Sequence, residues 1–241
     1  MKKEERHQIK RDDLATLLER VLIYAEEHLK PMILIAAVLV VALAGGLLFR
    51  NWMQSRAQQA SLLVGEMMQT YSMPIVESLE DLAQAPAGVE NFTSSAERDQ
   101  KVLEQAEAIL SRFSSADAVP KALYYKGLAL ANLGRFDEAV DVLDRVVRDY
   151  PRDFLAPMAR YQMARVREAE GNPREALTYF QALAADPGGT LAPEEGILGI
   201  ARCYEALGER EEALRSYQRI LVEFPDSAYL ADARAKVDEL S

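Results

Sequence analysis

The sequence is poor in the side chains that do chemistry. It has one cysteine, Cys203, and two histidines, His7 and His28, so residues 50–241 contain no histidine at all. A single thiol closes no intramolecular disulfide, and the fold must rest on packing. Amid the apolar neighbours of its segment, Cys203 reads as a small buried hydrophobe. Without histidine, residues 50–241 can build no His-based triad or histidine-bearing metal cluster. Neither His7 nor His28 has a second ligand cluster around it. No phosphate-cradling glycine loop is present either; the glycines are spaced as turns. Carboxylates such as Glu194, Glu195, Glu209, Glu211 and Glu212 sit at helix starts, where a solvated face beside the positive dipole end accounts for them. These absences argue against an enzyme and imply no cofactor and no metal. Positive charge is scarce as well: 28 Lys+Arg stand against 38 Asp+Glu. Residues 1–56 hold nine basic and seven acidic side chains, leaving 19 and 31 for residues 57–241, a net of −12 there. A region with that balance is repelled by nucleic acid and by anionic lipid head groups.

One stretch lacks charge entirely. PMILIAAVLVVALAGGLLF, residues 31–49, has no charged, amide or hydroxyl side chain. At about 1.5 Å per residue a helix of that length covers roughly 28 Å, close to the ~30 Å hydrocarbon core of a bilayer. Helices buried in soluble cores are seldom apolar all round for so long. The small-x-small run Ala42-Leu43-Ala44 imitates a signal-peptide cleavage site, but the leader would carry seven acidic residues, and Leu47-Leu48-Phe49 continues the apolar run past the cut. A retained transmembrane helix is therefore expected, with Pro31 in its first turn, where a missing N–H costs nothing. Lys2, Lys3, Arg6, Lys10, Arg11, Arg20 and Lys30 precede it, whereas only Arg50 and Arg56 follow before Arg98. By the positive-inside rule the amino terminus is cytoplasmic and the tail lies outside, with Trp52 as an interfacial anchor.

Four segments follow: a cytoplasmic head, residues 1–30; the transmembrane helix, 31–49; membrane-proximal helices and a loop, 50–96; and a repeat domain, 97–241. In the head, Leu14, Leu18, Val21, Leu22, Ala25 and Leu29 fall on one helical stripe, which Asp12 or Asp13 could cap. It reads as a helix on the membrane surface, a continuation of the anchor, or a docking helix. After the membrane a helix is expected over about 53–84, kinked or split by Pro74, followed by a loop over 85–97.

The repeat is the strongest signal. Gly134, Gly171 and Gly208 are each 37 residues apart, followed in register by Ala139, Ala176 and Ala213, by Leu143, Phe180 and Tyr217, and by Val146, Leu183 and Ile220. This is the pattern of a helix hairpin. Glycine supplies the left-handed turn, where a side chain is expected to clash. Alanine lets the second helix cross close to the first, and the large residues fill the gap between helices. Pro151 and Pro225 stop the second helices. One hairpin cannot bury its own face, so hairpins must stack. The blocks resemble tetratricopeptide repeats: Leu123, Gly127, Leu130, Gly134, Ala139, Leu143, Val146 and Pro151 match that family's eight key positions, as do Ile197, Ala201, Tyr204, Gly208, Ala213, Tyr217, Ile220 and Pro225. The middle block departs, with Arg160 and Arg167 at apolar positions and Gly188 in place of proline, and the period exceeds the usual ~34. Residues 97–113 look like the second helix of a degenerate first repeat, and 227–240 like a terminal capping helix. The expected fold is all-α, a single N-terminal transmembrane helix leading into a tetratricopeptide-like α-solenoid.

The resemblance implies protein binding in a concave groove lined by the first helices, at Lys121, Tyr124, Leu128 and Asn132, at Tyr161, Arg165 and Glu168, and at Leu198, Arg202 and Glu205. Tyr124 and Tyr161 have an alternative reading as packing between helices. The set lacks the Lys/Asn arrangement of repeats that clamp chaperone tails. The layout around residues 12–70, with its apolar span closing on Phe49-Arg50-Asn51-Trp52, is similar to the YfgM-like ancillary subunits of the bacterial SecYEG translocon. That similarity implies a bacterial inner-membrane protein with a periplasmic C-terminal domain. Its implied partners are translocon subunits, periplasmic chaperones and emerging client polypeptides. The alternative is a scaffold for outer-membrane or division complexes, whose linkers look much like residues 224–233. A self-associating protein pairing through the Met-rich face of 53–84 is a third class.

Overall fold

In the computed structural model the backbone is described for residues 3–76, 91–114, 117–186 and 191–241; before residue 33, only the side chains of Tyr24, Leu29 and Pro31 are described. The described residues are helical throughout except for turns and one isolated bridge, Ile75 to Phe92. The helices are α1 (Lys3–Ser72), α2 (Ser95–Arg112), α3 (Val119–Asn132), α4 (Phe136–Asp149), α5 (Leu155–Glu170), α6 (Pro173–Ala184), α7 (Pro193–Leu207), α8 (Arg210–Glu223) and α9 (Leu230–Leu240). The chain divides into two compact units, Met1–Arg56 and Ala57–Ser241.

In the first unit the helix is already formed at Lys3 and runs through residue 31 without a break. Two expectations fail here: Asp12 and Asp13 lie inside the helix rather than capping it, and Pro31 is internal rather than in a first turn. The reason is propensity. Glu, Lys, Arg, Leu and Ala dominate residues 3–30 and no Gly or Pro interrupts them. The helix therefore passes through Pro31 at the loss of one backbone bond, that to the Glu27 carbonyl. The apolar stripe expected from Leu14 to Ala25 lies outside the described side chains; Leu29 is exposed. From Ile33 to Phe49 every residue is exposed, and this part of α1 is long and apolar enough to cross a membrane. Beyond it the Phe49 and Trp52 rings lie 6.0 Å apart, and the Arg56 guanidinium sits 5.1 Å from the Trp52 ring centre.

The second unit opens with the rest of α1. Ala60, Val64 and Met67, spaced for one helical face, are buried against Val102, Ala106 and Ile109 of α2 and Ala122 and Ala129 of α3. Residues 57–72 and α2 thus form the degenerate first hairpin. The helix expected over about 53–84, kinked or split by Pro74, ends at Ser72, because a proline disfavours helical backbone at the residue before it and Met73 precedes Pro74. Residues 77–84 of that stretch, and 85–90 of the expected loop, lie outside the described residues. Val76 N–H donates to the Phe92 carbonyl at 2.9 Å. Helix α2 begins at Ser95, two residues earlier than expected: the Ser94 hydroxyl accepts from Glu97 N–H at 3.2 Å, while the Glu97 carboxylate accepts from the Thr93 N–H and hydroxyl, each at 3.0 Å.

Three regular hairpins follow, α3–α4, α5–α6 and α7–α8, and α9 closes the last. Gly134, Gly171 and Gly208 have φ of 74°, 83° and 73°, the only positive values among the described residues. A Cβ at any of the three would meet nothing within 4 Å, so the constraint is the left-handed backbone itself and not a clash with neighbours. Ala139, Ala176 and Ala213 are fully buried, as are Leu143 and Phe180, with Tyr217 at 2 % exposure. Of the departures in the middle block, Gly188 lies outside the described residues, and the one at Arg167 is absorbed by charge. Arg167 stands in register with buried Leu130; its own side chain is 11 % exposed and reaches Asp137 of α4 at 2.9 Å, Glu170 at 2.6 Å and Glu175 of α6 at 3.1 Å. Its stem fills the apolar position while its head bridges the starts of two second helices.

Helix α7 approaches α6 closest. A Cβ on Gly196 would lie 2.6 Å from the Ala184 backbone nitrogen, and one on Gly199 would lie 2.3 Å from the Phe180 ring. Gly196→Ala must therefore push two backbones apart, and we expect it to cost about 3 kcal/mol. Gly208→Ala has open space but the wrong φ and should cost about 1–2 kcal/mol. Urea unfolding of the full chain in detergent, followed by circular dichroism, checks the order; a larger loss at Gly208 would show that the turn, not the helix approach, limits the fold.

Candidate protein-binding groove

The first helices of the hairpins are residues 57–72 of α1, then α3, α5 and α7. On α3, Lys121, Tyr124, Leu128 and Asn132 follow one another at helical spacing; on α5 and α7 the sets Tyr161, Arg165, Glu168 and Leu198, Arg202, Glu205 share a spacing of four and three. The structure separates these ten residues into three kinds.

Tyr124 belongs to the core. It is 6 % exposed, packs with Leu123, Leu143 and Met163, and its ring meets Tyr125 edge-on at 5.7 Å. Burial pushes its phenol above the ordinary tyrosine range. Of its two readings, packing is the one the structure shows.

Glu168, Arg202 and Glu205 are tied into the fold. Arg202 donates to both oxygens of Glu168, each at 3.1 Å, joining α7 to α5. The Arg202 guanidinium also lies 5.6 Å from the centre of the Phe180 ring, on which Tyr161 packs edge-on at 5.9 Å. Glu205 accepts from the Tyr217 hydroxyl at 3.0 Å and from Lys236 at 2.9 Å, fixing α9 to α7. Burial and the Glu205 carboxylate together push the Tyr217 phenol up strongly.

The other residues present surface. Leu128, Tyr161 and Leu198 are half-buried, Arg165 and Asn132 are exposed, and Lys121 is half-buried. Arg165 reaches Glu168 only at 3.5 Å. Lys121 lines a recess of about 170 Å³ with Ala57, Ser61 and Val64 of α1 and with Asp117 and Ala118. A second recess, about 350 Å³, is bounded by Glu168, Gly171, Pro173, Arg202, Cys203 and Ala206. Cys203 is itself buried, and burial pushes its thiol up to about 12, so it offers no nucleophile there.

Tyr229 escaped the sequence reading, and Glu195, expected on a solvated helix-start face, is half-buried. The Tyr229 hydroxyl donates to Glu195 at 2.6 Å, linking the turn before α9 to α7. Glu195 lies three residues before Leu198 on the same helical face, so extending that stripe by one turn would have found it. Tyr229 carries no periodic signal. Phe180 was read as core, correctly, but its place under both Tyr161 and Arg202 depends on Gly199 and is invisible in the spacing of the glycine turns.

The raised groups set an alkaline limit. Cys203 rises from 9.0 to about 12 through burial, and Tyr229 from 10.0 to about 12 through its bond to Glu195. In both, the folded chain holds its proton more tightly than the unfolded chain, so the stability they contribute is complete below the unfolded values and is lost as pH climbs toward 12. Unfolding free energy should be level to about pH 9 and fall beyond it; Cys203→Ala should flatten the fall between pH 9 and 12, and Tyr229→Phe the part above pH 10. Urea midpoints at pH 8 and pH 11 measure it, and equal slopes in parent and variants would refute it.

A family model described as "Tetratricopeptide repeat-like domain" matches residues 24–241. Tetratricopeptide repeat protein 21B of Homo sapiens is 30% identical over 129 residues, covering 54% of this chain and 9% of that protein; the Mus musculus protein of the same name is 30% identical over 109 residues, covering 45% and 8%. The chain thus spans less than a tenth of the curated relatives it matches. Among solved structures, PilW, described as a widely conserved type IV pilus biogenesis factor, is 21% identical, with 56% of this chain and 59% of that chain covered at a TM-score of 0.48. MamA from Desulfovibrio magneticus RS-1 is 23% identical, with 59% and 85% covered at a TM-score of 0.44.

Proposed function

Because the chain belongs to the tetratricopeptide repeat-like domain family, whose members typically join proteins to one another rather than catalyse reactions, we propose that it is a membrane-anchored protein-binding module ancillary to the Sec translocon, linking emerging polypeptides to periplasmic chaperones. The observation that carries the reading is a pairing of two features in one chain. A fully exposed apolar helix, Ile33 to Phe49, precedes a repeat domain whose first helices leave Leu128, Tyr161 and Leu198 half-buried beside Arg165. Half-buried tyrosine next to arginine is the composition that concentrates binding energy at protein interfaces. In this reading the amino terminus is cytoplasmic, the span lies in the bacterial inner membrane, and the repeats face the periplasm. The similarity of residues 12–70 to YfgM-like subunits and the excess of Lys and Arg before the span support that placement. Anchoring beside the exit site keeps the groove at high effective concentration for clients, so each contact can be weak.

Mild-detergent capture of the full-length protein from its own membranes, with mass spectrometry of the eluate, tests the reading. Translocon subunits together with periplasmic chaperones are expected; envelope-assembly or division proteins without any translocon subunit would overturn it in favour of a scaffold. The groove has its own test. Leu128→Ala, Tyr161→Ala and Arg165→Ala combined should abolish crosslinking to clients, with the urea midpoint shifting little because none of the three is fully buried. Undiminished crosslinking would remove the groove from the mechanism. Tyr124 is left intact in that variant, since its truncation would damage the core.

A further inference from the structure

The groove's charged side chains are not equally available. Of its carboxylates, Glu168 is held by both Arg202 guanidinium nitrogens, Glu205 by Lys236 and the Tyr217 hydroxyl, and Glu195 by the Tyr229 hydroxyl at 2.6 Å. Two cations are left over. Arg165 touches only Glu168, at 3.5 Å, a carboxylate already engaged on both oxygens. Among the described residues Lys121 has no ion pair, and Asp117 is the only carboxylate lining the same recess. The less engaged donors are thus one on α3 and one on α5, while the carboxylates, Glu168 on α5 and Glu195 and Glu205 on α7, are bonded internally. This holds on a region whose net charge is −12, where the default expectation is repulsion of anything acidic. The same two helices carry the half-buried side chains of Leu128 and Tyr161.

We propose that the α3–α5 part of the groove takes an extended, acidic polypeptide segment, its side-chain carboxylates meeting Lys121 and Arg165 while alternate apolar side chains rest on Leu128 and Tyr161. Extended chains present successive side chains to opposite sides, so a segment alternating acidic and apolar residues can meet the cations at the groove rim and the apolar floor together. Arg165 gains most. Its weak contact with an occupied carboxylate is replaced by a charge-assisted hydrogen bond to a free one. The inference rests on the groove reading above, and it narrows the partner from any polypeptide to one chemistry.

Full-length protein in phosphatidylcholine nanodiscs is titrated into short fluorescein-labelled peptides in which leucine alternates with glutamate, glutamine or lysine, and anisotropy is read. Two exposed ion pairs should favour the glutamate peptide over the glutamine peptide by about tenfold, with the lysine peptide weakest. Lys121→Glu combined with Arg165→Glu should invert the order so that the lysine peptide binds best, while Tyr161→Ala should weaken all three peptides by a similar factor. Equal binding of the glutamate and glutamine peptides, or an order unchanged in the charge-reversed variant, would overturn the acidic preference and leave the groove standing. Failure of every peptide to bind the parent protein would overturn the groove reading and this inference with it.

Discussion

The structure depends on how closely consecutive helices can approach. Gly196 lets α7 lie against the backbone of α6 with no side chain between, and Ala139, Ala176 and Ala213 do the same, less extremely, inside each hairpin. Once the backbones are that near, one large residue per repeat suffices to fill the remaining gap, and Leu143, Phe180 and Tyr217 are those residues. The consequence reaches the surface. Gly199 admits the Phe180 ring into space a Cβ would occupy, and the ring so placed supports Tyr161 from one side and Arg202 from another. Arg202 is then positioned to hold Glu168. A missing methyl group on α7 thus decides the arrangement of Tyr161 and Arg202.

Charge has an analogous division of labour. Arg167 and Glu168 are neighbours on α5 and face different ways. Arg167 turns toward the hairpin starts and satisfies Asp137 and Glu175, carboxylates that also favour those helix N-termini. Glu168 turns to Arg202 and joins α5 to α7. Each repeat interface consequently has its own ion pair in addition to its apolar contacts: Arg167 at α4–α5–α6, Glu168–Arg202 at α5–α7, Glu205–Lys236 at α7–α9. Such pairs add little stability where exposed.

The hairpin architecture was legible in the sequence because its constraints are local and strict. A left-handed turn admits glycine with little competition, and a close helix crossing admits only small residues, so both leave a periodic trace. What failed was governed by context. Pro31 looked like a helix start because nothing in the residues themselves says that a strong helix already exists on its N-terminal side. Pro74 was expected to kink or split the helix after the membrane-length span, and its restriction of Met73 ends α1 at Ser72. The Ser94–Glu97 cap was present in the letters as a serine followed three residues later by glutamate, and the loop reading overrode it. Tyr124 and Tyr161 occupy the same position in consecutive repeats, and spacing could not tell that one is buried and the other half-open. That difference is made by Tyr125, Gln162 and Phe180, the neighbours each ring meets.

Helix α1 carries a further argument in its own pattern. From Ile33 to Phe49 it is apolar on every side, and every side is exposed, which in water would be costly at about 25 cal/mol per Å². From residue 57 onward the apolar residues retreat to one face: Ala60, Val64 and Met67 are buried, while Leu62 between them is 74 % exposed on a face otherwise formed by Gln58, Gln59, Glu66 and Gln69. All-round hydrophobicity answers to a solvent that is apolar in every direction, and one-sided hydrophobicity to a protein core on one side and water on the other. The two patterns meet across residues 50–56. There Trp52 sits between the Phe49 ring and the Arg56 guanidinium, the combination of aromatic body and cation suited to the boundary between hydrocarbon and water.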